Sequence, residues 1–203
     1  MTIVIIAITL LISVLAFNKP EISYKYQFNP YQIIHRKQYI RWISHAFLHS
    51  NWSHLLVNMF VLFSFGQSLE RNFEIIFGRL GLPFYLLLYI GAILISPIYS
   101  LIRQRNNYMY NAVGASGAVS AVVFANIFFA PWQQIYFFGF IPIPGIVFAL
   151  LYLLYSWQMS KRNRDNIAHD THLVGALFGL VFPVLMKPEL LSYFLEQLTS
   201  FQF

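Results

Sequence analysis

The chain has 203 residues, of which 58% are hydrophobic and only 10% charged. Soluble domains carry roughly 25% charged residues, so this composition excludes a water-facing exterior and puts the outer surface in lipid. The net charge of +6 is scattered over loops, with one short cluster at Lys161, Arg162 and Arg164, which fits membrane contact and not nucleic-acid binding; the absence of cysteine excludes disulfides, thiolate metal sites and a cysteine nucleophile.

Six apolar stretches follow one another, to be compared with the ~20 residues a bilayer crossing needs. The first, about Ile3 to Phe17, is short and has neither a basic leader nor a small-residue cleavage site, so it reads as a retained span. A long loop, Asn18 to Asn51, mixes Tyr24, Tyr26, Phe28, Tyr31, Tyr39 and Trp42 with basic residues, a composition suited to the membrane interface. The second span covers about Trp52 to Leu69, and the third about Leu80 to Ile102 with Pro83 and Pro97 inside it. The fourth covers about Val113 to Ala130. The fifth covers about Gly145 to Trp157, or begins earlier, since Ile135 to Ile143 is apolar but broken by Pro142. The sixth covers about Thr171 to Leu185, and an amphipathic tail, Leu190 to Phe203, is expected on the membrane surface. The fold class is therefore all-α, a polytopic membrane protein of six helices in a single domain over residues 1–203, with no repeat or second soluble domain.

Consecutive spans alternate in direction, so the second, fourth and sixth are parallel. His54 and Asn58 open the second, Ser116 the fourth and His172 the sixth. These polar residues therefore fall at one depth. His54 and Asn58, at i,i+4, share a helix face. His172, Gly175 and Gly179 share another, and the two glycines form a small-xxx-small pair that admits a close neighbour. If that neighbour is the fourth span, Gly114 and Gly117 permit the same approach from its side, and Gly114 also allows a backbone turn closed to other residues.

Such a set fits acyl transfer. A serine hydroxyl is a weak nucleophile until a base takes its proton, and His172 is the base at hand for Ser116. Asp165 and Asp170 are placed in a loop, which leaves a Ser-His dyad as the simpler proposal. The tetrahedral oxyanion needs donors already in position, and the Ser116 backbone N–H, the Asn58 amide and the His54 imidazole are the candidates. Taken singly, Ser116 reads as a helix-contact residue, His172 as an interfacial one and Asn58 as interhelical glue. Together at one depth they read as a site, since polar groups inside a membrane are costly.

The strings Gly114-Ala115-Ser116-Gly117, His172-Leu173-Val174-Gly175 with Gly179, and His54-Leu55-Leu56-Val57-Asn58 occur in this order. With Arg41-Trp42-Ile43-Ser44-His45-Ala46-Phe47-Leu48-His49 upstream, the chain resembles the rhomboid family of intramembrane serine proteases over nearly its whole length. The resemblance implies a six-helix fold with Ser116 as nucleophile, His172 as general base, and His54 and Asn58 in the oxyanion hole. It implies cleavage of transmembrane substrates near a membrane boundary, with no metal or other cofactor and with entry past the fifth span beneath a capping loop. Phe148, Tyr152 and Tyr155 on that span suit a lipid-facing gate or ordinary lipid contact. This sequence departs from the pattern of the family it resembles at Ser120, where some relatives place an aromatic that packs on the histidine, at Thr171, where Ala is common, and at Ile40-Arg41-Trp42, where some members have Trp before Arg. Glu70 reads as a helix-end contact and not as a catalytic group.

Ten basic residues fall on the catalytic side and Arg71, Arg79 and Lys187 on the other, which by the positive-inside rule puts the site in the cytoplasm. The resemblance implies an extracytoplasmic site, in the cell membrane, and that is the expectation adopted. Three other functions compete. His45, His49, His54, His169 and His172 lie on one side, and the i,i+4 pair His45 and His49 has a spacing that binds zinc or iron, though no carboxylate accompanies it. A catalytically inactive relative that binds membrane helices is the second alternative, and the intact Ser116 and His172 argue against it. Transport is a third, with only Pro97 and Pro142 as signs of broken helices.

Overall fold

The computed structural model describes residues 1–137, 140–162 and 168–200. Arg164 and Asp165 lie outside the described residues. Helix α1 (Thr2–Asn18) turns by 116° into α2 (Pro20–Tyr26). The loop continues through α3 (Pro30–His35), α4 (Arg41–Ser44) and a 3-10 turn at His45–Phe47. Helix α5 (Trp52–Phe77) is joined by a second 3-10 turn, Gly78–Leu80, to α6 (Gly81–Ile95). Then come α7 (Ile98–Arg103), α8 (Ser116–Phe129), strands β1 (Gln134–Phe137) and β2 (Ile141–Pro144), α9 (Gly145–Arg162), α10 (His169–Met186) and α11 (Leu190–Thr199).

Three features differ from the sequence reading. Pro97 interrupts the third span, dividing it into α6 and α7 because it has no N–H to give the helical ladder, while the helical run as a whole continues to Arg103. The apolar run before α9 is not helix but an antiparallel hairpin, with Ile135 opposite Ile143 and Tyr136 opposite Pro142. Asp170 is not in a loop but in the first turn of α10.

The core forms around α8. Every residue from Gly117 to Phe129 is buried, enclosed by α5, α6 and α10. Glycine contacts give the relative directions. A Cβ on Gly175 would meet Gly117, and one on Gly179 would meet Ala121, so α8 and α10 run parallel. His54 lies beside Gly114 at one end of α5, and deeper the Asn126 Nδ2 donates to the Phe65 carbonyl at 2.7 Å, so α5 and α8 are parallel too. Gly66 faces Tyr85 and Gly81 faces Phe73 and Glu74, so α5 and α6 are antiparallel. At the far end, the Thr2 N–H and hydroxyl each donate to the Glu70 carboxylate at 2.9 Å, satisfying a donor that the start of α1 leaves free.

Among the described residues, the helical run Trp52–Arg103 and helix His169–Met186 are long and apolar enough to cross a bilayer, and the bent α1–α2 pair would be a third. The six crossings expected are not all evident from length and apolarity. Helix α8 has 14 residues, about 21 Å at 1.5 Å per residue, against about 30 Å of hydrocarbon. Helix α9 ends on Gln158, Ser160 and Lys161, which lower its apolarity. The exterior is nonetheless apolar: Leu11, Phe60, Leu154 and Leu185 are each at least 60% exposed, a surface that water does not accept in quantity.

Candidate functional site

Ser116 is the first residue of α8, so its backbone N–H is among the donors that a helix start leaves unbonded. The approach to it is fixed by the first loop. Phe28 and Ala112 exchange backbone hydrogen bonds of 2.9 and 3.0 Å, and the Gly114 N–H donates to the His45 carbonyl at 3.0 Å. Gly114 has φ of +128°, a conformation that side-chain-bearing residues avoid. From α10, His172 Nε2 lies 2.7 Å from Ser116 Oγ, a hydrogen bond across the parallel pair. That distance depends on the glycines: a Cβ at Gly175 would stand 2.2 Å from the Gly117 carbonyl oxygen, and one at Gly179 2.1 Å from that of Ala121. Gly117 in turn leaves room for Ser96 and for the Thr171 methyl, whose contacts with an added Cβ would be 2.3 and 3.0 Å. Thr171 thus fits here because its neighbour Gly117 has no side chain.

His54 and Asn58 stand beside this pair. The missing Cβ of Gly114 makes room for the His54 ring: an added Cβ would lie 2.9 Å from His54 Nε2 and 3.7 Å from Ser116 Oγ. Asn51 caps α5 by accepting the His54 backbone N–H at 2.8 Å. Buried Asn58 donates one amide hydrogen to the His54 carbonyl at 2.9 Å, which leaves its second for a ligand. Ser116, His172, His54 and Asn58 all line one cavity of about 1060 Å³, whose walls also include Ser120 and Tyr152.

Asp170, also on that cavity, is engaged elsewhere: its carboxylate accepts from the Ser100 hydroxyl and from the Thr171 N–H. The Ser120 hydroxyl is paired at 2.7 Å with the Tyr152 hydroxyl of α9. An aromatic ring therefore reaches this level from α9, and Phe124 and Phe148 pack on it at 5.5 and 5.7 Å between centroids.

The first loop is tied down by its signature residues. The Arg41 guanidinium donates to Gln38 Oε1 at 2.6 Å and to the carbonyls of Tyr24 and Gln27 at 2.9 and 3.1 Å. The Trp42 indole donates to the Leu94 carbonyl at 2.9 Å, in the last turn of α6 where carbonyls lack helical partners. The order Arg41-Trp42 thus still anchors the loop on both sides. Burial pushes His45 down to about 4, and burial followed by the proximity of His54 pushes His49 down to about 3, so both are neutral at ordinary pH. Among the described residues no three histidine, aspartate or glutamate side chains converge as metal ligands, so the metal reading gains no ligand set.

Sequence reasoning missed Ser50, whose hydroxyl lies 3.1 Å from His54 Nδ1. The i,i+4 spacing of Ser50 and His54 was the available signal, but Ser50 precedes the helix, where that spacing has no fixed meaning.

The family pattern described as "Rhomboid domain" matches residues 36–189. The chain is 30% identical over 154 residues to "RHOMBOID-like protein 12, mitochondrial" of Arabidopsis thaliana, a match covering 68% of this chain and 44% of that protein. It is 26% identical over 171 residues to "Rhomboid-related protein 1" of Caenorhabditis elegans, covering 79% of this chain and 44% of that one. It is 27% identical over 145 residues to "Rhomboid protein 1, mitochondrial" of Saccharomyces cerevisiae, covering 69% and 40%. The matches thus span less than half the length of each of these relatives. Two of the three are named mitochondrial, so the expectation of a cell membrane draws no support from them.

Proposed function

This chain belongs to the rhomboid family, a family of membrane proteins, and we propose that it is an active intramembrane serine endopeptidase. The observation that carries the reading is the 2.7 Å contact between Ser116 Oγ and His172 Nε2, at the half-buried start of two parallel helices. Ser116 Oγ attacks the scissile carbonyl carbon while His172 Nε2 takes its proton. The oxyanion is held by the Ser116 N–H, by the second amide hydrogen of Asn58 and by His54 Nε2–H. Collapse expels the amine, which receives the proton from His172, and leaves an acyl-Ser116 ester. Water, deprotonated by His172, hydrolyses that ester and restores the serine.

The chain acts as one membrane domain over residues 1–203, with six crossings and the first loop in the interface. Its substrates are transmembrane segments entering from the bilayer, cut near the boundary at the depth of Ser116, and the site opens to the extracytoplasmic side. The test is purified protein reconstituted in lipid vesicles with a single-span substrate. Cleavage by the wild type and none by Ser116→Ala is the expected result. A wild type that binds the substrate helix without cutting it identifies an inactive helix-binding relative instead. Reporter fusions after Gln133 and after Arg164 test sidedness, and an intracellular signal from the second reverses the orientation.

A further inference from the structure

The imidazole of His54 is held on three sides, and each side can be read chemically. Its Nε2 edge occupies the space left by Gly114, where an added Cβ would stand 3.7 Å from Ser116 Oγ. Its ring packs against that of His49 in a T-shaped arrangement, with centroids 4.9 Å apart at 75°. Its Nδ1 lies 3.1 Å from the Ser50 hydroxyl. His49 is itself fixed by α1, because its Nδ1 lies 2.9 Å from Ser13 Oγ, which also donates to the Phe47 carbonyl at 2.8 Å. The hydroxyl of Ser13 has one proton, and with that proton on Phe47, His49 must be the donor at Nδ1.

A neutral imidazole stabilises an oxyanion only through the nitrogen that carries hydrogen, and the bond made by the other nitrogen selects which one that is. A serine hydroxyl can donate to Nδ1 and so leave the hydrogen on Nε2. We propose that Ser50 is a positioning residue, whose hydroxyl donates to His54 Nδ1 and keeps His54 in the tautomer that presents Nε2–H toward Ser116. The inference rests on the proposed serine-protease reading for its purpose, but its physical content, the tautomer of His54, stands apart from catalysis.

The test therefore has two readouts. Nitrogen NMR of the intact detergent-solubilised chain labelled at histidine reports the tautomer, with His54 assigned by the signal lost in His54→Gln. The wild type and Ser50→Thr, which keeps the hydroxyl, are expected to show His54 protonated at Nε2. Ser50→Ala is expected to show a mixture of both tautomers. In the vesicle assay Ser50→Ala is expected to lower kcat roughly 10-fold, less than the 10²–10³ lost with a whole oxyanion donor, with KM unchanged and with Ser50→Thr restoring the rate. An unchanged His54 tautomer in Ser50→Ala overturns the proposal, as does a wild-type His54 protonated at Nδ1. A wild type that shows the Nε2–H tautomer yet cleaves nothing leaves the Ser50 contact standing and overturns the protease reading.

Discussion

Gly175→Ala is the substitution whose consequence the geometry defines best. The added Cβ would lie 2.2 Å from the Gly117 carbonyl oxygen, with 2.9 Å to its carbon and 3.1 Å to its Cα, all backbone atoms that cannot rotate away. Ordinary contact begins at 3.4 Å, so α8 and α10 must part by about 1 Å at this level. That level is less than one turn from His172, whose Nε2 now lies 2.7 Å from Ser116 Oγ. A parting of that size takes the pair out of hydrogen-bond range. Misplacement of a reacting group by about 1 Å costs on the order of 100-fold in rate, and overpacking costs roughly 1–3 kcal/mol of stability. The assay is kcat on a single-span substrate beside a thermal melt of the same preparation. Gly179→Ala, one turn deeper and against Ala121, is expected to lose similar stability with a smaller loss of rate. A Gly175→Ala protein that cleaves at the wild-type rate refutes the claim that this glycine contact sets the distance between Ser116 and His172.

Asn58→Ala should lower kcat by about 100-fold with little change in KM, as removal of a transition-state donor does; equal loss of substrate binding assigns Asn58 to structure instead. Tyr152→Phe and Ser120→Ala each break the 2.7 Å bond between α8 and α9, and each should cost about 1 kcal/mol. The double variant should cost less than the sum, and additive losses in a double-mutant cycle deny the contact any energy. His45 and His49 are held at about 4 and about 3 when folded against an ordinary 6.5. Because the unfolded chain binds the extra protons, stability is complete above about pH 6.5 and falls as pH drops toward 4, by roughly 1.4 kcal/mol per pH unit for each histidine. Acid unfolding of His49→Gln should show a shallower slope over that interval, and an unchanged slope excludes His49 as a contributor.

The rhomboid relationship was legible because its carriers are short strings whose residues act within one turn, such as His54 with Asn58 and His172 with Gly175. The common depth of Ser116 and His172 was legible from the alternation of spans, and the glycine contacts give α5, α8 and α10 the parallel directions that the counting required. What was not legible depends on partners far apart in sequence or on ambiguous apolar runs. The segment from Ile135 to Ile143 reads equally as strand or buried helix, since a short apolar run carries no deciding period. The fourth span looked longer than α8 because Val113 and Gly114 are apolar or small, while the positive φ of Gly114 keeps them outside the helix. Tyr152 looked like a lipid-facing ring, and its bond to Ser120 joins helices that no local pattern relates. Asp170 was assigned to a loop because charged residues crowd before it, yet it belongs to the acidic first turn that a helix start favours.

Covalent labelling of the detergent-purified chain with a fluorophosphonate probe tests the central claim most directly, with Ser116→Ala and His172→Ala measured beside it. The account predicts labelling of the wild type and of neither variant, which identifies an activated serine and its base. A folded wild type that takes no label, or a Ser116→Ala protein that labels equally, contradicts it.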